Sequence, residues 1–269
     1  TPLYSSAASD VYKRQVSTHF LKFYEEKGIL YPRVQENGYR YYDIRDASLV
    51  LECFRMKNMG LSVRQIEKGI NDCTEQEVAE MLQQRENVLQ SQLHEQQMHL
   101  QGLQNLRVAL RLCEQGEWSV RTVPDVWYLP HTIGKEFVQD SRIYDQLPQW
   151  LDWMPVVTSA QIVRGNDAHA ERMEWGLGLE QAEAAQLGFA PQEPAQLLHL
   201  GRVLEIYCSW EIPAEHGSEK GLYQYCMERA RALNLVPEPV MFRRVFCYTE
   251  KGGTKQVHNV LRVPVKMAE

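Results

Sequence analysis

Residues 16–42 read VSTHFLKFYEEKGILYPRVQENGYRYY, and this stretch decides the fold of the first part of the chain. Ser17 stands where a side-chain oxygen accepts a free N–H of a new helix, and Glu25 and Glu26 are ordinary helix formers. Gly28 marks the left-handed residue that ends such a helix, and Pro32 forbids its continuation. Glu36-Asn37-Gly38 then supplies a turn tolerant of positive φ between Arg33-Val34 and Tyr39-Arg40-Tyr41-Tyr42. The stretch predicts a short helix followed by a small wing of basic and aromatic side chains. That combination suits a nucleic-acid duplex, with the helix in a groove and the wing on phosphates.

A chain of 269 residues exceeds one typical domain and predicts two or three units. No apolar run approaches the ~18 residues of a membrane span, so no membrane association is expected. A basic start followed by an apolar core is absent, which argues against a secretory signal. Cysteines 53, 73, 113, 208, 226 and 247 are scattered without a CxxC pair, the usage of a reducing cytoplasm. The net charge is −6, yet residues 16–72 carry 9 Lys and Arg against 8 Asp and Glu. A near-neutral head needs individually placed phosphate contacts, and two heads in one dimer.

Residues 1–15, TPLYSSAASDVYKRQ, offer little to bury and join the rest at Gln15-Val16 like a cloning or sequencing scar. They are expected to be non-native or disordered and carry no functional argument. Beyond the wing, Asp46 is expected to cap a helix reaching about Met59, and Ser62 a second one lined by Val63, Ile66 and Ile70. Residues 73–115 contain no proline, and Thr74 with Glu77 forms a capping box. At ~1.5 Å per residue this predicts a helix of roughly 60 Å. Leu82, Leu89, Leu103 and Leu110 recur in sevens, and Leu93 with Leu100 supplies a second seam position. A narrow stripe on a long polar helix predicts pairing with a second copy of the chain.

The run Leu21-Lys22-Phe23-Tyr24-Glu25, with Gly28-Ile29-Leu30, Pro32 and Gly38-Tyr39-Arg40-Tyr41-Tyr42, resembles the head of MerR-family transcription regulators. Met59-Gly60-Leu61-Ser62-Val63-Arg64-Gln65-Ile66 resembles the helix pair that closes it. The family usually has Leu-Arg-Tyr-Tyr-Glu in the first run, so Lys22 and Phe23 depart from it. The resemblance implies a winged-helix DNA-binding domain over 16–72 and an antiparallel coiled coil over 73–115. It also implies a homodimer on double-stranded promoter DNA that distorts the DNA for RNA polymerase when an effector binds. On this reading Ser17, Lys22 and Tyr24 reach the groove, while Arg33, Tyr39, Arg40 and Tyr42 hold the backbone.

From Trp118 the pattern changes to period two. Strands are expected at 118–128, 158–165 and 171–180 with a helix at 132–150, and the order repeats as strand 197–210, helix 219–234 and strands 240–249 and 256–265. Gly188 to Pro194 reads as a linker. Two strand–helix–strand–strand units make residues 116–269 an α+β domain, so the whole chain is a multidomain α and α+β protein. The order resembles the GyrI-like effector-binding domain of multidrug-sensing relatives. Alternation on 202–212 puts Val203, Glu205, Tyr207, Ser209 and Glu211 on one face. A carboxylate among rings suits an aromatic cation, which makes Tyr128, Tyr144, Trp153, Glu174, Trp175, Glu205, Tyr207 and Tyr248 the candidate effector-binding set. Drug-sensing relatives carry an acid shortly before the proline of the last strand; here that region is His258-Asn259-Val260-Leu261-Arg262-Val263-Pro264, with none.

Two other classes are weighed. Cys73 and Cys113, near opposite ends of the long helix, could form a thiol metal or redox sensor in an antiparallel pair. Glu174 and Tyr207 could do acid–base work in a GyrI-like hydrolase. No nucleophile elbow, P-loop, dinucleotide fingerprint or HExxH occurs, so the expectation is a cytoplasmic binding protein, not an enzyme, without cofactor or resident metal.

Overall fold

The computed structural model describes residues 17–166, 170–211 and 219–267; the segment 1–15 and Ile212 lie outside them. The chain divides between Leu93 and His94 into two compact units.

Among the described residues of the first unit, the first helix is α1 (Thr18–Glu26). Ser17 caps it, its Oγ accepting the Phe20 N–H at 3.1 Å. Gly28, at φ +64°, takes the left-handed conformation that an L side chain avoids. The Ile29 N–H returns to the Tyr24 carbonyl, closing the helix end. A two-stranded wing follows, β1 (Arg33–Val34) antiparallel to β2 (Arg40–Tyr41). Helix α2 (Ile44–Asn58) is capped by Asp43, not by Asp46. Asp46 instead stands at the third position, where its Oδ2 accepts the Asp43 N–H at 2.9 Å in a reciprocal box. Both residues can cap, and the earlier acid won because the later one could then close the box. Ser62 and Gln65 make the same box at the start of α3 (Val63–Asn71). Leu21, Tyr24, Ile29, Leu30, Val50, Cys53, Met56, Leu61 and Ile66 form one core.

Helix α4 (Glu75–Gln115) starts on the Thr74–Glu77 box, the Thr74 N–H donating to Glu77 Oε2 at 2.8 Å. It runs through the division between the units. In the first, Arg85 Nε donates to the Met59 carbonyl at 2.7 Å, sealing the end of α2. In the second, Met98, Gly102, Ala109 and Cys113 are buried. Gly102 permits a close approach, since a Cβ there would lie 3.1 Å from the Val156 backbone nitrogen.

The second unit is one antiparallel sheet. Its strands are β3 (Trp118–Thr122), β4 (Val126–Ile133), β5 (Glu136–Phe137), β6 (Thr158–Gly165) and β7 (Ala170–Glu180). They are followed by β8 (Gln196–Leu198), β9 (Arg202–Glu211), β10 (Leu235–Pro237), β11 (Val240–Lys251) and β12 (Thr254–Met267). The sheet order is β3-β9-β12-β11-β6-β7-β4-β5, with β8 beside β4 and β10 beside β12. Helix α5 (Ser141–Asp152) follows β5, α6 (Gln181–Gln186) follows β7, and α7 (Glu219–Ala232) follows β9. Leu222, Cys226 and Met227 of α7 pack on Leu204, Leu261 and Val263, while Ile143 and Trp150 of α5 join Leu129, Leu177 and Leu179.

Several boundaries differ from the sequence expectation. The expected strand 118–128 is two strands, broken at Pro124, which has no N–H for a ladder. The expected helix 132–150 begins only at Ser141, because β4 continues to Ile133 and turns through Gly134 into β5. The expected strand 197–210 breaks at Gly201, which has φ +62°.

Candidate nucleic-acid interface and ligand cavity

In the head, burial of Leu21 and Tyr24 leaves the opposite face of α1 outward, and Thr18, His19, Lys22 and Glu26 are all exposed. Of the expected groove residues, Ser17 and Lys22 are exposed, whereas Tyr24 is only 2% exposed and serves the core. Thr18 and His19 were missed; helical spacing from Lys22 was the signal available for Thr18. In the wing, Arg33 pairs directly with Tyr41, so both fall on one face, and both are exposed. Tyr39, Arg40 and Tyr42 are half-buried. Arg40 Nε donates to Glu25 Oε2 at 2.8 Å, a bond that holds its guanidinium pKa up and ties the wing to α1. Arg33 is exposed, and Arg40 ties the wing to α1 through Nε with its side chain still 39% exposed. The turn is closed by Gly38 N–H to the Gln35 carbonyl at 2.8 Å and Tyr39 N–H to Asn37 Oδ1 at 3.1 Å.

In the second unit a cavity of about 470 Å3 lies between the C-terminal half of α4 and the sheet. Leu106, Val156, Val245, Phe246 and Tyr248 give it apolar wall, and Arg121, Arg244, Arg262, Glu180 and Glu183 give it charge. The charged groups form a chain. Arg121 grips Glu205 through Nε at 2.8 Å and Nη2 at 3.0 Å. Arg262 donates from Nε to Glu205 Oε2 at 2.8 Å and from Nη2 to Glu180 Oε1 at 3.1 Å. Arg244 donates to the same Glu180 oxygen at 2.9 Å and to Thr158 Oγ1 at 2.9 Å. The Arg262 and Glu205 side chains are only 4% and 2% exposed. Removing one partner of such a buried pair costs about 3–5 kcal/mol. Burial alone would lower the Arg262 pKa, but Glu205 and Glu180 outweigh it, so the guanidinium stays charged. Arg262 Nη1 is buried and has no hydrogen-bond acceptor among the described residues. An unmet buried donor of this kind costs about 1–3 kcal/mol or more. Burial pushes the Glu183 carboxyl up, and desolvation with the neighbouring Glu205 pushes the Tyr207 phenol up.

The structure brings Tyr207 and Tyr248 of the expected effector set to this cavity. Glu205 is beside it, but its carboxylate is spent on Arg121 and Arg262. Tyr128 is fully buried against Phe242, and its hydroxyl proton is held far more tightly than usual by desolvation. Tyr144 is 41% exposed on α5, and Trp153 lies near His99. Glu174 is paired with Arg172 at 2.7 Å, and the Trp175 ring carries the Arg243 guanidinium. None of these last five is among the residues lining the cavity. Glu174 on β7 and Tyr207 on β9 are separated by β6, β11 and β12. At ~4.8 Å per strand spacing that is roughly 19 Å, too far for joint acid–base work. Cys113 is buried, its Sγ–H donates to the Asn259 carbonyl at 3.3 Å, and desolvation pushes its thiol up to about 11. That environment makes it a poor thiolate ligand, and no group of three metal-ligating side chains occurs among the described residues. Sequence reasoning missed Arg121, Arg244, Arg262, Glu180 and Glu183; no local signal marks them.

Along the chain, helices with a small wing are followed by a long helix and then an antiparallel sheet. Residues 13–72 match the model of the MerR HTH family regulatory proteins, so the head is a MerR-family helix-turn-helix domain. No curated protein matches the chain. Among solved structures it is similar to the EcmrR–DNA complex, at 15% identity over 98% of this chain and 100% of that one, with a TM-score of 0.35. The EcmrR C-terminal domain is similar at 10% identity over 57% of this chain and 99% of that one, with a TM-score of 0.34. At those values neither likeness fixes the second unit's fold or ligand. No helix among the described residues is long and apolar enough to cross a membrane.

Proposed function

We propose that the chain is a cytoplasmic, homodimeric, ligand-responsive transcription regulator and not an enzyme. Its MerR-type head reads promoter DNA, α4 pairs it with a second copy, and the sheet unit binds a small molecule. The observation that carries this reading is the MerR-family match over 13–72, on a head whose α1 strip Thr18, His19 and Lys22 and wing pair Arg33 and Tyr41 all stand exposed. The sheet order supports a GyrI-like effector unit: β4, β7, β6 on one side mirror β9, β12, β11 on the other about the β6–β11 pair. Each triplet has one helix after its first strand. Effector binding then favours the DNA-distorting conformation over the relaxed one, which lets RNA polymerase engage.

The test is titration of the full chain onto promoter-length duplex at several salt concentrations. Affinity is expected to fall linearly in log–log form, with a slope that counts released counterions. A salt-independent affinity, or none at low salt, overturns the regulator reading.

A further inference from the structure

We propose that the cavity beside α4 takes an uncharged aromatic molecule and discriminates against both cationic and anionic versions of the same ring. This rests on the reading of the sheet unit as the effector-binding part and names the class of molecule that part takes. The inference starts from the charge balance of the cavity. Arg121, Arg244 and Arg262 line it together with Glu180 and Glu183, and Glu205 joins them as the partner of Arg121 and Arg262. Guanidiniums and carboxylates are therefore equal in number, and they are seated on one another. Glu205 is held by Arg121 and Arg262, and one Glu180 oxygen is shared by Arg244 and Arg262. The Arg262 Nη1 left over is itself buried and out of a ligand's reach.

The loosest member is Glu183, 4.0 Å from Arg244; it accepts the Glu180 N–H, and burial pushes its carboxyl up, away from the anion. A charged head entering this cavity gives up its water and must compete with ions already in place, whatever its sign. An uncharged ring pays no such cost. Leu106, Val156, Phe246 and Tyr248 supply wall for it, and about 470 Å3 is the volume of a small-molecule site. The lining already contains one ring stack, Tyr207 on Phe246 with centroids 6.3 Å apart and planes 10° from parallel. Met154 and Tyr248 also line the cavity at 41% and 60% exposure, apolar surface that a bound ring takes out of water.

The experiment measures 2-naphthylmethanol, 2-naphthoate and 2-naphthylmethylammonium, one ring with three heads, against the full chain at pH 7 by equilibrium dialysis. The alcohol is expected to bind at least about ten-fold tighter than either ion, the scale of one polar group desolvated without a partner. Tyr248→Ala and the cavity-filling Leu106→Trp should each weaken the alcohol, and its unchanged binding in both overturns the inference. Arg121→Gln removes one of the two cations on Glu205, so it should narrow the gap between alcohol and ammonium at least about three-fold. A preference for the alcohol that came from ring hydrophobicity alone would not move in that variant, and an unmoved gap overturns the part played by charge balance. If Arg121→Gln does not fold, the two wall variants still locate the alcohol. Equal or tighter binding of either ion to the parent chain overturns the uncharged class while leaving the effector cavity standing. Binding of none of the three overturns both.

Discussion

At the scale of single residues, the two wing arginines of the head stand in different surroundings. Arg40 sits in the matching wing string, yet its guanidinium is committed to Glu25, whereas Arg33 points away from the core without such a bond in the wing pair. The two arginines should therefore fail differently. Arg33→Ala should lower the salt slope of DNA binding by about 1, as loss of one phosphate contact does. Arg40→Ala and Glu25→Gln should each weaken binding with the slope kept, because both loosen the wing without removing a counterion-releasing contact. Equal slope changes for Arg33→Ala and Arg40→Ala would return Arg40 to the phosphate. Residue identity was legible in the sequence here, but the partner was not: Glu25 lies 15 positions away and on another element.

At the scale of elements, local punctuation was readable wherever the backbone decides. Ser17, Gly28, Ser62 and the Thr74–Glu77 box delimit helices where their chemistry demands. The sheet unit was legible as alternating strands, but its breaks at Pro124 and Gly201 were absorbed into longer runs. The charged chain was invisible for a different reason. Arg244 reaches Glu180 across 64 positions and Arg262 reaches Glu205 across 57, and only strand order brings them together. Helix α4 has both buried and exposed apolar positions. Met98, Gly102, Ala109 and Cys113 are buried, while Leu89, Leu93, Leu100 and Leu103 are 45%, 60%, 55% and 56% exposed. Leu82 is at 36%, and Leu110 is half-buried. A stripe of large side chains left in water is what pairing with a second helix removes. Sedimentation should show a dimer for the parent chain and a monomer for Leu89→Glu/Leu103→Glu, with the sheet unit intact by circular dichroism. A monomeric parent sinks the pairing.

At the scale of the whole molecule, stability is split between cores that share no residues. The head core draws on residues from Leu21 to Ile66, with Phe20, Ile70 and Met81 packed against it. The clusters of the second unit run from Met98 onward. Cooperative unfolding needs shared packing, so the two units should melt as separate transitions and no single midpoint should describe the chain. The cysteines report this without added probes. Cys53 is fully buried in the head core and Cys226 fully buried on the inner face of α7, and desolvation raises both thiols, the first to about 11. Near pH 8 both are protonated and shielded while folded, and unfolding returns each to the ordinary thiol pKa of about 8.5. Raising the pH from 7 to 9 should therefore speed labelling of unfolded chains strongly and of folded chains hardly at all. Alkylation along a urea series, read by peptide mass, should give Cys53 and Cys226 different midpoints. Coincident midpoints in both the parent and the Leu89→Glu/Leu103→Glu chain would mean that the units unfold as one, and that α4 transmits stability along its length.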